Sequence, residues 1–499
     1  MPVIAKLARS LPGATSSAWV LAETGTAAAF SLFSLMLIAR VIGPEAAGTG
    51  AVAIAAFLLA DLASASLFTD ALVQRRELTE RHARSAVTVQ VLTGLLGAGL
   101  LALLAPSLAA STESPEVLPL TLALAALLPF SAFSGASAGL VLRVQRYRLL
   151  ALRVLIGQPL ALLAGLLAAN AGGGAWAMVA QQAGATLGTF LLLVIFGRLR
   201  LRPRFSGGAI ADLWPIAGPQ ILAIVVLAGR YRLFVLTLGI VTTEAVVAVC
   251  NVAFRLVDSG LAVVWGTTSR LALPRFSAVQ HDPAALAEAY GEIAQLQALM
   301  AMPIAAGIAL VVPDLVAALL GPAWAPAAAA AQVVAWVAVL AFASGDAGSL
   351  FVALGRTRLN LGIATVTMLV PIILLLLARP TSPMGVAMCW AASTLVTIPW
   401  VTWLVLREVR RSPLWLLRRL VPAVAATGSM ALAVLAVQAG LRLPPLPGLL
   451  VAAAVGTLVF AIVAWLTLGR RWPPALQRMP VAEPRREATL NGAVASAAE

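Results

Sequence analysis

Charged side chains lie inside long apolar stretches of this sequence, where a membrane-spanning helix rarely tolerates them. Arg230, Arg232 and Arg255 interrupt stretches of this kind. A charge at the centre of a bilayer costs at least about 2.5–3.5 kcal/mol, so it should face a cavity or a partner. The three arginines are therefore candidate ligands for an anionic group within the membrane.

The depth and spacing of these arginines leave two interpretations open. Arg255 lies about twelve residues into its apolar stretch, which at 1.5 Å per residue is about 18 Å and near the middle of a roughly 30 Å core. Asp258 follows at i+3 on the same helix face and could simply neutralise Arg255. Arg230 and Arg232 are about 200° apart on a helix, so both cannot face one narrow cavity.

Four acidic residues in or near the apolar stretches are candidate sites for ion coupling across a membrane: Glu23, Asp61, Asp258 and Asp346. Buried carboxylates bind a proton or Na⁺. The alternative is that they pair with the arginines or lie in a polar mouth. Four amides are predicted to hydrogen-bond either sugar hydroxyls or, chiefly, neighbouring helices: Asn170, Gln181, Gln182 and Asn251.

The elements that position these residues are membrane helices. The chain is 61% hydrophobic and only 11% charged, with a mean hydropathy of +0.97, whereas a soluble domain averages roughly 25% charged residues. Apolar stretches of about 20 residues recur along the whole length, which predicts an all-α polytopic membrane protein. The net charge of +14 does not indicate nucleic-acid binding, because the basic residues form no continuous face and lack interleaved aromatics.

About fourteen spans are predicted by hydropathy and turn residues. They lie near 16–39, 46–67, 85–109, 117–142, 149–170, 174–197, 214–239, 243–266, 293–313, 326–354, 359–378, 383–406, 416–439 and 446–468. Most basic residues fall in one set of alternate loops and in the two terminal segments. The positive-inside rule places that set, and both termini, in the cytoplasm. Asp282-Pro283 is predicted to begin a helix that leads into the ninth span.

A weak internal repeat predicts two lobes. Ser134-Gly135, Leu140 and Arg146-Tyr147-Arg148-Leu149 recur at a constant offset as Ser344-Gly345, Leu350 and Arg356-Thr357-Arg358-Leu359. Six spans separate the copies, so the two six-helix lobes are parallel repeats, with the substrate site expected between them. The predicted divisions are an N-terminal lobe at 1–205, a C-terminal lobe at 206–410, accessory spans at 411–470 and a disordered cytoplasmic tail at 471–499.

Several short motifs occur in a characteristic order. They are Ala39-Arg40-Val41-Ile42-Gly43-Pro44-Glu45, Ala71-Leu72-Val73-Gln74-Arg75, Leu78-Thr79-Glu80, Trp176-Ala177-Met178-Val179-Ala180-Gln181, Arg202-Pro203-Arg204-Phe205-Ser206, Ala253-Phe254-Arg255-Leu256-Val257-Asp258 and Leu320-Gly321-Pro322-Ala323-Trp324-Ala325-Pro326. In this order and spacing the chain resembles the polysaccharide-transporter (Wzx-type) flippases over roughly 15–420. Their superfamily also holds the MATE drug exporters and the lipid II flippases. The chain departs from the pattern at Thr242-Thr243-Glu244, where a Gly-Pro is expected.

The resemblance implies a flippase that moves undecaprenyl-diphosphate-linked oligosaccharides across the bacterial inner membrane. The products would serve exopolysaccharide, capsule or O-antigen (lipopolysaccharide) synthesis. Guanidinium groups match phosphate oxygens in bidentate fashion, so Arg255, Arg230 and Arg232 are the expected contacts of the diphosphate. The expected partners are the lipid-linked oligosaccharide, a polysaccharide polymerase with its export machinery, and H⁺ or Na⁺. The expected mechanism is alternating access.

Two alternatives remain. A MATE-like exporter of small molecules would usually have twelve spans and an acidic cavity. A glycan polymerase or ligase would need catalytic groups, but His82 and His281 lie in predicted cytoplasmic loops. The sequence carries no metal-ligand cluster, P-loop or dinucleotide fingerprint. We therefore expect no enzymatic activity, no cofactor and no metal site.

Overall fold

The computed structural model describes residues 16–75, 77–144, 146–197, 205–440 and 444–470. Side chains of 16–29, 445–446 and several positions between 219 and 228 are not described. The predicted tail at 471–499 lies outside the described residues. Within the described ranges the regular structure is entirely helical, which confirms the all-α prediction.

Sixteen α-helices follow one another along the described chain. The first eight are α1 Ser16–Ser66, α2 Thr69–Gln74, α3 Glu80–Ser111, α4 Val117–Ala125, α5 Leu128–Arg143, α6 Tyr147–Asn170, α7 Trp176–Gly197 and α8 Gly207–Val241. The others are α9 Glu244–Ala278, α10 Pro283–Leu319, α11 Ala325–Ala341, α12 Ala347–Ala353, α13 Thr357–Ala378, α14 Pro383–Val409, α15 Pro413–Gly440 and α16 Pro445–Thr467. Short 3₁₀ turns occupy Pro322–Trp324 and Phe342–Ser344.

These helices make fourteen membrane spans, as predicted. Twelve segments of the described chain are long and apolar enough to cross a membrane. One of them contains both arms of α1, which separate at Gly43, where φ is 79° and Pro44 follows. The 35-residue α8 supplies the remaining span. The fourth and tenth spans are interrupted, since α4–α5 and α11–α12 each form one span with a break inside it.

Asp282 begins α10 as predicted. Its carboxylate accepts hydrogen bonds from the backbone N–H groups of Ala284 and Ala285 at 2.9 and 3.1 Å. Pro283 occupies the first turn, where its missing N–H costs nothing. The helix then continues without interruption to Leu319, because Pro303 and Pro313 are accommodated inside it.

The bundle has two chemically different ends. We call the end that carries the arginine-rich loops the basic end, and the other the opposite end. At the opposite end one hydrophobic cluster joins the two halves of the chain, with Ile38 and Val52 of α1 packed among Phe234, Phe254 and Val316. Burial of these large apolar side chains holds the halves together there.

Helix α8 links the halves at the basic end. Its Leu213 and Ala217 pack into a cluster formed otherwise by α2, α3, α5, α6 and α7. Asp212 of α8 pairs with Arg75 at 3.1 Å and with His82 at 3.1 Å. His82 Nδ1 accepts the Thr79 N–H, so its Nε2 donates to Asp212. That hydrogen bond, with the Arg75 guanidinium nearby, lowers the pKa of Asp212 below its ordinary value.

Candidate functional site

A polar stripe runs along one face of α9. Asn251, Arg255, Asp258 and Ser259 recur at helical spacing, so they point the same way. The flanking Phe254 and Val257 point elsewhere and are buried in the central cluster. The helix therefore packs its apolar faces against neighbours and presents charged and polar groups on the remaining face.

This stripe forms one wall of a cavity between the two halves of the chain. The cavity has a volume of about 530 Å³. Its lining comes from α1, α6, α7, α8 and α9: Ser31, Leu35, Ala51, Ile54, Ala55, Leu58, Gln158, Met178, Gln181, Gln182, Ala185, Tyr231, Arg232, Val235, Asn251, Arg255, Asp258, Ser259 and Ala262. The predicted site residues Arg255, Arg232 and Asp258 are thus brought together.

Arg255 connects the two halves directly, because its guanidinium donates a hydrogen bond to the Ser31 hydroxyl of α1. It lies eleven residues after the first residue of α9, about 16 Å along the helix. On the adjacent α8, the Tyr231 hydroxyl donates to Asn251 Oδ1 at 2.8 Å. That bond fixes the Asn251 amide and confirms the predicted helix-to-helix role for this residue.

Arg232 enters the cavity beside a second carboxylate. Asp61, on the second arm of α1, interacts electrostatically with Arg232 and with the Ser131 hydroxyl of α5. The Oδ1 atom of Asp61 is buried and accepts no hydrogen bond from any described residue. Asp61 does not itself line the cavity, but it compensates part of the Arg232 charge.

Arg230 lies on another face of α8. Its guanidinium sits 5.6 Å from the ring centroid of Trp390 on α14, a cation–π arrangement. It is also within electrostatic range of Asp258, but it does not line the cavity. Arg230 and Arg232 thus lie on different faces of α8, as their spacing predicted. Of the two, Arg232 faces the cavity.

Of the two remaining acidic candidates, Asp346 lies away from this site. Asp346 is 3% exposed and caps α12, accepting from the Ser349 N–H at 3.0 Å and the Ser349 hydroxyl at 2.8 Å. The structure therefore gives it a capping role. The side chain of Glu23 lies outside the described side chains.

Amides cover the wall of the cavity that faces α9. Gln158 of α6 was not singled out from the sequence, while Gln181 and Gln182 of α7 were expected to bond other helices. Gln182 instead donates to Thr186 on its own helix at 3.2 Å, and Gln181 has no hydrogen-bond partner among the described residues. Asn170 bonds its own helix, at Leu166 O. The sequence did contain a signal for this amide wall. Helical spacing places Met178, Gln181, Gln182 and Ala185 on one face of α7.

The cavity is sealed at the opposite end by direct contacts between the halves. Gly48 of α1 lies so close to α9 that a Cβ there would fall 1.9 Å from the Glu244 carbonyl oxygen. Arg40 donates to the carbonyl oxygens of Ala318 and Leu319, at 3.4 and 3.2 Å. These carbonyls belong to the last turn of α10, which has no helical partners for them. In this conformation the halves are closed against each other at that end.

A separate apolar groove of about 360 Å³ lies where α10 meets α15 and α16. Its lining includes Ile304, Ile308, Met430, Ala453 and Phe460. No charged side chain contributes to it, so it suits a hydrocarbon chain. Among the described residues there is no group of three or more His, Cys, Asp or Glu side chains that could hold a metal ion.

Comparison with solved structures gives similarity in fold. A structure described as "Lipid II flippase MurJ, inward closed conformation" matches with a TM-score of 0.74 and 13% identity, covering 90% of this chain and 98% of that one. An inward-facing multidrug resistance MATE family transporter of the MOP superfamily matches with a TM-score of 0.57 and 15% identity, covering 82% and 99%. At these identities the likeness establishes the fold alone, that of a polytopic helical bundle. No curated protein matches the chain.

Comparison with protein families is more specific. The pattern of the family described as polysaccharide biosynthesis protein matches residues 37–329, more than half of the 499 residues. The matched segment contains every charged residue that lines the cavity. The chain therefore belongs to the polysaccharide biosynthesis protein family.

Proposed function

We propose that this chain is a flippase that moves undecaprenyl-diphosphate-linked oligosaccharides across the bacterial inner membrane. The observation that carries the proposal is the cavity between the two halves, with Arg232 and Arg255 on its wall. A lipid diphosphate must bring about two negative charges into a low-dielectric region, at a cost that charge-assisted hydrogen bonds from arginine can offset. The family match supports a role in polysaccharide synthesis.

The charge balance of the cavity suits a cargo that must be released. Arg255 has Asp258 nearby and Arg232 has Asp61 nearby, so each arginine is partly compensated before the cargo enters. The cavity lining itself carries two arginines and one aspartate, so a diphosphate that enters meets a small excess of positive charge at the wall. The same carboxylates are our candidates for H⁺ or Na⁺ coupling, because an ion bound at either would change the net charge that the diphosphate encounters.

Alternating access is the mechanism we propose, and the contacts that close the halves at the opposite end support it. In the proposed cycle the two lobes, 1–205 and 206–410, rock about the cavity while the polyprenyl tail stays in the bilayer or in the apolar groove beside α15 and α16. The positive-inside rule supports placing the basic end and both termini in the cytoplasm. With that orientation, the conformation described here is closed on the side away from the cytoplasm.

Deletion of the gene tests the proposal. The strain should lose surface polysaccharide while intact repeat units accumulate on the cytoplasmic leaflet. Expression of the wild-type chain or of Arg270→Ala, an exposed arginine of the basic end, should restore the polysaccharide, whereas Arg255→Ala should not. Repeat units that reach the outer leaflet normally, in a strain without a second flippase, would contradict the proposal and favour small-molecule export or polymerisation.

A further inference from the structure

The basic end carries a second pocket that is separate from the central cavity. It has a volume of about 590 Å³ and lies where α14 ends and α15 begins. We call it the arginine pocket, and it is lined by Pro399, Thr402, Trp403, Leu406, Arg407, Arg410, Arg411 and Pro413. None of these residues lines the central cavity.

The three arginines of this pocket have free hydrogen-bonding capacity. Within the described part of the chain, the side chains of Arg407, Arg410 and Arg411 form no ion pair and donate no hydrogen bond. Two arginines nearby differ in this respect, because Arg356 pairs with Glu408 at 2.5 Å and Arg419 pairs with Glu288. Acidic residues close to the pocket are therefore already occupied, which leaves three guanidinium groups clustered without a local anion.

Backbone geometry and aromatic contacts hold these guanidinium groups in place. Arg410 ends α14 in the left-handed region with φ of 51°, a conformation that a non-glycine residue rarely adopts. The chain then turns back, and the Arg411 N–H bonds the Leu406 carbonyl at 3.1 Å. The guanidinium of Arg407 lies 5.7 Å from the Trp403 ring centroid, and that of Arg411 lies 5.7 Å from the Trp415 ring centroid.

An apolar strip on α14 continues from the arginines into the membrane. Val396, Trp400 and Trp403 are 65%, 36% and 55% exposed, and with Pro399 and Arg407 they follow the i, i+3, i+4 spacing of one helix face. Pro399 and Arg407 are eight residues apart, about 12 Å along the helix. The pocket thus presents a cationic rim above an apolar wall, with aromatic rings at the level where membrane interfaces place them.

We propose that the arginine pocket binds the phosphate headgroup of an anionic phospholipid, with an acyl chain against Pro399 and Trp403. Three guanidinium groups without an ion pair supply the N–H donors that phosphate oxygens accept. Basic pockets between helices at a membrane surface bind acidic headgroups in this way. A phospholipid is favoured over the diphosphate cargo, because the pocket shares no residue with the cavity and faces lipid that is constantly present.

Native mass spectrometry of the full chain, purified in detergent, tests the proposal. Cardiolipin and phosphatidylglycerol should bind at least tenfold more tightly than phosphatidylethanolamine. The triple variant Arg407→Gln, Arg410→Gln, Arg411→Gln should lose that preference. The matched control is Arg270→Gln, Arg358→Gln, Arg418→Gln, which removes the same charge from exposed arginines outside the pocket and should keep affinity within twofold of the wild type.

Equal losses in the two triple variants would overturn the proposal, because binding would then follow net charge rather than the pocket. Unchanged binding by the pocket variant would overturn it as well. A final measurement uses a short polyprenyl diphosphate as the ligand. Its binding should weaken in Arg255→Ala and persist in the pocket variant. If it fell only in the pocket variant, the occupant would be the cargo and not a phospholipid. Melting curves of all variants establish that each chain is folded.

Discussion

The contact between Gly48 and Glu244 gives a sharp test of alternating access. Replacing Gly48 with alanine adds one methyl group, whose position would be 1.9 Å from the Glu244 carbonyl oxygen and 2.4 Å from its carbonyl carbon. The obstructing atoms are backbone, so no side-chain rotation relieves the overlap. The variant can keep its helices only if α1 and α9 move apart at the opposite end.

The magnitude follows from the packing. Inserting a methyl group into a close contact typically costs about 1–3 kcal/mol. The closed conformation should therefore lose population by roughly fivefold to 150-fold relative to conformations in which this contact is open. Alanine is about 1 kcal/mol better than glycine in a helix, but that gain applies to both conformations and does not favour closure.

Distance measurements between spin labels can detect the change. Glu116→Cys and Thr381→Cys place labels on exposed residues of the opposite end, one in each half, after Cys250 and Cys389 are replaced by alanine. Gly48→Ala should shift the distance distribution to longer values. Gly266→Ala is the matched control, because a Cβ there meets no atom within 4 Å. A Gly48→Ala distribution identical to the wild type, in a folded chain, would refute the reasoning.

Three further changes should separate roles among charged residues. Arg232→Ala should reduce cargo affinity by roughly tenfold to 150-fold, because a charge-assisted hydrogen bond contributes about 1.5–3 kcal/mol. Arg230→Ala should have a smaller effect in the same binding assay. Asp212→Asn should lower the melting temperature only slightly, since the Asp212 side chain is half exposed and solvent screens its pairing with Arg75 and His82. The folded pKa of Asp212 is depressed, so this contribution is present above the ordinary pKa and is lost as pH falls through the folded pKa. Melting curves from pH 3 to 7 should show that loss. Asp346→Ala should lower the free energy of unfolding by about 0.5–2 kcal/mol through loss of a helix cap, with cargo binding unchanged.

Hydropathy and charge were enough to predict the helices and their order. An apolar stretch of about 20 residues has few alternatives to a spanning helix, because unsatisfied backbone groups are costly in lipid. The Asp282 cap was predictable for the same kind of local reason. The breaks inside two spans were not predicted, although a proline or a glycine lies close to each. Pro129 is near the start of α5, and Gly345, just before α12, has φ of 70°.

The site was predictable only in part. Arg255 was singled out because a mid-membrane charge needs a partner; besides the nearby Asp258, its hydrogen-bond acceptor is Ser31, 224 positions earlier in the chain. Nothing local to either residue specifies that contact. The choice between Arg230 and Arg232 likewise depended on which face of α8 meets the cavity, and hence on packing against α1, α13 and the Trp390 ring of α14. The cavity amide Gln158 was overlooked because a single polar residue in a span has no distinguishing local pattern.

Transfer in proteoliposomes tests the central claim most directly. The purified chain, reconstituted with a fluorescent undecaprenyl-diphosphate oligosaccharide, should expose cargo to a membrane-impermeant quencher faster than protein-free vesicles do. Arg255→Ala should abolish that acceleration, while Arg270→Ala should preserve it. Acceleration that persists undiminished in Arg255→Ala, or a wild-type rate equal to that of protein-free vesicles, would contradict the account.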